Sequence, residues 1–299
     1  MTTPMGDHVP ERLSVTKTYK LFIAGKLPRS ESGRSSVVKA ADGTVFAHVC
    51  RASRKDLRDA VEAARKALPG WKSATPYLRG QILYRMAEMM EGKRAEFIES
   101  LRTVDGRAER DAISEVDASI DRLVCFAGWA DKHQQVFGCA NPVAGPYHNF
   151  TVAEPVGVAA VIVASPIRPL LGLVSLMAPA LACGSVAIAI SDQTNPIPAC
   201  ILGEVVATSD TPGGVVNILT GLHDELVPQM GTHAGIDAVL SAGLSSAHRA
   251  TLLEGAANDL KRAHAIDHPG DFADEVRFEG PSALEPFLEF KTLWHPSAT

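Results

Sequence analysis

The residues able to do chemistry in this 299-residue chain are few and scattered. Five cysteines (Cys50, Cys125, Cys139, Cys183 and Cys200) could supply a thiolate, but a thiolate forms at neutral pH only beside a base or a positive field. None stands in a C-x-x-C pair or at metal-ligand spacing from a histidine, so no metal site is expected. The plainer reading is of incidental thiols in a reducing compartment. The densest titratable text is His264-Ala265-Ile266-Asp267-His268. It invites acid–base or metal chemistry, yet a general base must reach its proton and no nucleophile stands nearby. A solvated turn is the plainer expectation there.

The elements that must position these groups centre on Glu154–Gly221. Between Val156 and Ile190 the only formal charge is Arg168. A run of more than about 18 apolar residues is long enough to span a membrane. Pro166, Pro169, Pro179 and Gly184 argue against that by cutting it into Val156–Val163, Leu170–Cys183 and Val186–Ile190. Strand, helix, strand is the simplest parse, with Pro169 in a first helical turn and Gly184 at a helix end. Strands apolar at every position are what a parallel sheet covered on both faces requires.

Around this core the pattern alternates. Tyr19–Ala24 reads as a strand, and Ser35–Lys39 with Thr44–Val49 as a hairpin turning at Asp42-Gly43. Ser53 and Asp56 form an approximate capping box for a helix. Further helices are expected near 77–90, 94–101 and 107–135. Helices at 198–208 and 246–257 alternate with strands at 215–219 and 236–241, giving a doubly wound parallel α/β sheet of Rossmann type. The net charge of −5, without a basic run, excludes nucleic acid and anionic membrane surfaces as natural partners. The first residues contain no apolar signal core, so a cytoplasmic location is expected.

EPVGV, MAPALACGS and PGGVVNILTG, in that order and spacing, resemble the aldehyde dehydrogenase superfamily, and the likeness runs from about Tyr19 to about Arg262. The resemblance implies a flexible tail over 1–17 and an NAD-binding-like domain over 18–135 and 154–268. It also implies oligomerisation strands over 136–153 and 284–297. The text LEPFLEFKTLW after Ala283 resembles the family's C-terminal strand, so 269–283 reads as a linker standing where the catalytic domain would be.

The family oxidises aldehydes through a cysteine thiolate, a nicotinamide and a glutamate base. Its P-W-N-F-P stretch, whose asparagine stabilises an oxyanion, reads Ser165-Pro166-Ile167-Arg168-Pro169 here, and Ile167 has no side-chain donor. Its K-P-A-E ribose site reads Ala189-Ile190-Ser191-Asp192, which keeps a carboxylate and lacks the lysine. The glycine loop after VVNILTG continues Gly221-Leu222-His223-Asp224-Glu225, whose carboxylates would repel a pyrophosphate. The second loop reads Ala242-Gly243-Leu244-Ser245-Ser246-Ala247-His248. Ile266 falls on the base position, and no cysteine follows Cys200. Asp192, Gly221, Gly243 and Ser245 are what remains of a dinucleotide site, so no cofactor is expected, with NAD the one candidate. The resemblance therefore implies a catalytically inactive subunit that pairs with a full-length aldehyde dehydrogenase, or with itself. The alternatives are an NAD-dependent oxidoreductase, or half of one, and an NAD-binding sensor.

Overall fold

A computed structural model describes residues 15–267, 270 and 272–297; most of the expected tail, and His268, Pro269 and Asp271, lie outside the described residues. The chain opens with a small sheet of β1 (Thr18–Tyr19), β2 (Ser35–Lys39) and β3 (Val45–Cys50), ordered β1-β3-β2. The hairpin turns where expected, with Gly43 in the left-handed region and Asp42 accepting from the Thr44 amide at 2.9 Å. The expected first strand is shorter than its apolar text, because Ala24-Gly25 turns the chain back and Ile23 bonds Lys26.

Four helices and a short fifth follow: α1 (Arg54–Ser73), α2 (Pro76–Gly92), α3 (Arg94–Asp105), α4 (Glu109–Trp129) and α5 (His133–Phe137). At Ser53 the capping box is complete, the buried Asp56 carboxylate taking the Ser53 amide at 2.7 Å. Strands β4 (Cys139–Asn141) and β5 (Tyr147–Pro155) then lead into the core.

That core is β6 (Val158–Val163), α6 (Pro169–Cys183), β7 (Val186–Ile190), α7 (Ile197–Ala207), β8 (Val216–Leu219), α8 (His223–Thr232), β9 (Ala238–Ala242), α9 (Ser246–Asn258) and β10 (Arg262–Ile266). Five parallel strands lie in the order β10-β9-β6-β7-β8. The order reverses between β6 and β9, the switch point at which such sheets open a crevice for ligands. Pro169 starts α6 and Gly184 ends it in a left-handed cap. All of β6, β7, β8 and β9 is buried, as the unbroken apolar text of β6 and β7 required; β8 and β9 bury Asn217 and Ser241 as well.

Residues 263–266 correct the expectation of a solvated turn. They form the edge strand β10, paired with β9 from Arg262↔Ala238 to Ile266↔Ala242. One flank of an edge strand faces solvent, so its text alternates around the exposed His264 and lacks the continuous apolar signature of its neighbours.

The segment after β10 folds back. It carries α10 (Glu275–Glu279) and two single 3-10 turns, then enters β11 (Leu288–Pro296). Phe272, Phe278, Leu284 and Phe287 are buried. Buried Arg122 of α4 clamps the segment: Nε donates to Glu279 at 2.8 Å, Nη2 to the Phe272 carbonyl at 3.1 Å, and Nη1 to Ser175 of α6. Gly172 makes room for it, since a Cβ there would stand 2.8 Å from the Phe272 ring. Strand β11 pairs antiparallel with β5 over nine positions, completing a second sheet ordered β11-β5-β4.

Candidate functional site

The candidate site is the row of loops at the carboxyl ends of β6, β7, β8 and β9. At the start of α6 the first-turn amides have no intrahelical partner and would favour a bound anion. The chain supplies its own. Glu115, fully buried on α4, accepts from the Leu170 and Leu171 amides at 2.8 and 3.3 Å and pairs with Arg107. Burial pushes the Glu115 carboxyl above its ordinary range, opposed by the Arg107 guanidinium and the two amides. Arg107 also donates to the Pro166 carbonyl. Ile167, in the adjoining loop, is half-exposed and offers no side-chain donor.

At the β7 exit, Asp192 is buried and turned onto its own loop, accepting from Thr194 and, at 3.3 Å, from the Asn195 amide. His223 donates to the Ser191 carbonyl at 3.0 Å, and its ring meets that of His248 edge-on at 6.3 Å. His248 spans the two helix starts: its Nε2 donates to Asp224 at 2.6 Å, and its Nδ1 faces Ser245 Oγ at 3.1 Å. Ser245 meanwhile caps α9 by accepting the His248 amide. A chain of contacts therefore links Ser191, His223, His248 and Ser245 across three strand ends.

The two glycines are explained by packing. Gly243 has φ +75°, and a Cβ on it would stand 2.9 Å from the Ala164 carbonyl, so it lets the β6 and β9 loops close on each other at the switch point. Gly221 sits against the Ala52 backbone and Leu226, where a Cβ would crowd both. Glu225 does not confront the cleft as a bare charge, as its sequence position suggested. Arg34 at 3.1 Å and Arg51 clasp it and hold its carboxyl below the usual range. Ile266 ends β10, its carbonyl accepting from Gly243 at 3.1 Å.

Of the groups named from sequence, Asp192, Gly221, Gly243, Ser245 and Ile167 all lie along this one edge of the sheet. Glu115, Arg107, His223 and His248 were not found from sequence. Only His248, a bulky residue in a position where a glycine was sought, carried any local signal. Among the described residues no group of three or more His, Cys, Asp and Glu side chains is arranged to hold a metal ion. No helix there is long and apolar enough to cross a membrane.

Burial lowers the affinity of His223 and of His133 for protons, so both titrate below their ordinary 6.5. The unfolded chain then binds more protons than the native one below that value. Their contribution to stability is complete above about pH 6.5 and declines as the pH falls, by up to about 1.4 kcal/mol per unit for each ring. Glu115 acts in the opposite sense, so the comparison is with His223→Gln: its urea midpoint should fall less than the wild type's between about pH 7.5 and 5.5. Equal losses in both proteins would contradict a buried neutral His223.

The aldehyde dehydrogenase family model matches residues 28–265. Retinal dehydrogenase 2 of Gallus gallus is 32% identical over 253 residues, covering 82% of this chain and 48% of that protein. Omega-crystallin of Nototodarus sloanii is 30% identical over 262 residues, covering 85% of this chain and 51% of its own length. Among solved structures, the NAD+ complex of an aldehyde dehydrogenase from Bacillus cereus shares a TM-score of 0.78 at 26% identity, over 83% of this chain and 50% of that one. The chain spans about half the length of the curated relatives it matches.

Proposed function

The chain belongs to the aldehyde dehydrogenase family, and we propose that it is a catalytically inactive cytoplasmic member that docks through its β11-β5-β4 sheet on a full-length relative, which it stabilises or regulates. The observation that carries this reading is the occupation of the cofactor edge by the chain's own groups. Glu115 takes the amides of α6, and the His248–Asp224 pair bridges the starts of α8 and α9. An incoming pyrophosphate would have to displace carboxylates already bonded in place. Among the described residues no exposed cysteine lies along this edge, and the resemblance aligns Ile167 and Ile266 with the family's donor and base.

The second sheet supports the docking half of the proposal. Its outer strand β11 is nine residues long and carries Phe290 and Trp294, which are 47% and 60% exposed. Such an edge is a template for strand addition and a hazard if left bare.

Binding of NAD is the competing reading, favoured by the NAD+ complex of the Bacillus cereus neighbour. Calorimetric titration separates the two. The proposal expects no saturable heat with NAD at about 1 mM and no aldehyde-dependent NADH formation, whereas micromolar binding would establish a nucleotide sensor instead.

A further inference from the structure

Where the backbone groups of β11 point decides how another strand can join it. The Val156 amide donates to the Phe287 carbonyl at 3.0 Å, and the Ser297 amide to the Pro146 carbonyl at 2.9 Å. Both bonds fall on the antiparallel register that pairs Leu288 with Pro155 and Pro296 with Tyr147. Along such a ladder hydrogen-bonded pairs alternate with open ones. Glu289, Lys291, Leu293 and His295 therefore turn their N–H and C=O groups onto β5. Leu288, Phe290, Thr292, Trp294 and Pro296 turn theirs away from the sheet.

That outward row is closed at both ends. The Leu288 N–H donates to the Glu285 carbonyl, and the Leu288 carbonyl accepts from Arg262. Pro296 has no N–H to give. Between them stand Phe290, Thr292 and Trp294, whose outward N–H and C=O groups have no hydrogen-bond partner among the described residues. Their side chains share one face of the strand, with the Thr292 hydroxyl 2.9 Å from that of Thr151 and an exposed aromatic ring on either side. Such a row suits β-branched or aliphatic side chains on the strand opposite, because aromatic–β-branched cross-strand pairs are favourable.

We propose that the full-length relative joins β11 through an extended segment of about five residues, β-branched or aliphatic at alternate positions, which pairs only with Phe290, Thr292 and Trp294. The window rests on the docking proposed above and sets its register and length. The probe is the acetylated, amidated peptide Val-Thr-Val-Thr-Val, with a longer form that adds one Thr at each end. Each is titrated into the whole chain and followed by amide NMR. The shorter peptide should bind saturably with Kd about 1 mM or below, and shift the Phe290, Thr292 and Trp294 amides more than those of Lys291 and Leu293. The longer one should gain less than about threefold, because the closed ends offer it no further bonds.

Thr292→Pro removes an outward N–H that the chain itself does not use, so the fold should persist while binding weakens by about tenfold or more. Thr292→Val keeps the N–H and should bind within about threefold of the wild type. Failure of the shorter peptide to bind at about 10 mM overturns the proposal, as does an equal response of the Lys291 and Leu293 amides. A gain of about tenfold or more with the longer peptide, or undiminished binding by Thr292→Pro, overturns it too. A homodimer of the chain that is lost in Thr292→Pro would give the window to a second copy and overturn the assignment of the partner. If the peptide binds as expected but no relative copurifies with the chain, the docking on a relative fails and the window stands. A relative recovered equally with Thr292→Pro leaves the docking standing and overturns the window.

Discussion

Replacing Arg122 by alanine is expected to lower folding stability by about 3 kcal/mol and to loosen the whole returning segment. The side chain is 1% exposed and holds three elements together: Glu279 of α10, the Phe272 carbonyl and Ser175 of α6. Its loss strands a buried carbonyl and leaves a cavity beside the Phe278 ring, which lies 6.0 Å from the guanidinium. Glu279 is partly exposed and can rehydrate, which keeps the loss at the lower end of the range for broken buried pairs. For a domain whose total stability is about 5–15 kcal/mol, that is a large share. Urea unfolding gives the magnitude, and amide exchange locates it: β11 should exchange faster together with α10. A midpoint like the wild type's, with β11 still protected, would show that the segment is not pinned by Arg122. Gly172→Leu should act on the same seam from the other side, driving a side chain into the space held by Phe272.

The second large effect concerns association. Phe290 and Trp294 lie on one face of β11 by strand alternation, Phe290 near Phe137 at 5.9 Å and Trp294 edge-on to Tyr147 at 5.8 Å. Both are exposed in the single chain, so Phe290→Glu with Trp294→Glu should cost the isolated fold about 1 kcal/mol or less. At an interface, aromatic anchors are commonly worth about 2 kcal/mol or more each, so the double variant should weaken association on the order of a thousandfold. Light scattering of the assembled species measures this. Assembly that survives both charges would move the docking surface off this sheet.

How much of this was legible in the text depends on the range of the contacts. The strand–helix–strand core, the Ser53 cap and the Pro169 and Gly184 boundaries were readable because each is set by neighbours within a few residues. The edge strand β10 was not, because its residues alternate like a polar loop. Residues 269–283 read as a linker, and only the fold shows Phe272 and Phe278 at work as anchors. Ile167 and Ile266 were read as degenerate positions only through the family resemblance. What fills the cleft in their place was not legible. Glu115 reaches α6 across 55 residues, and Arg34 reaches Glu225 across 191, so neither pair leaves a trace in local spacing. The sign of the electrostatic environment around Glu225 was misjudged for that reason.

The most direct test of the inactive-subunit account is gentle affinity purification of the tagged chain from its native cells, with mass spectrometry and stoichiometry of whatever accompanies it. The account predicts a full-length aldehyde dehydrogenase at near-equal amounts, lost on combining Phe290→Glu with Trp294→Glu. Recovery of the chain only as a homodimer, under conditions that preserve other enzyme complexes, would contradict it.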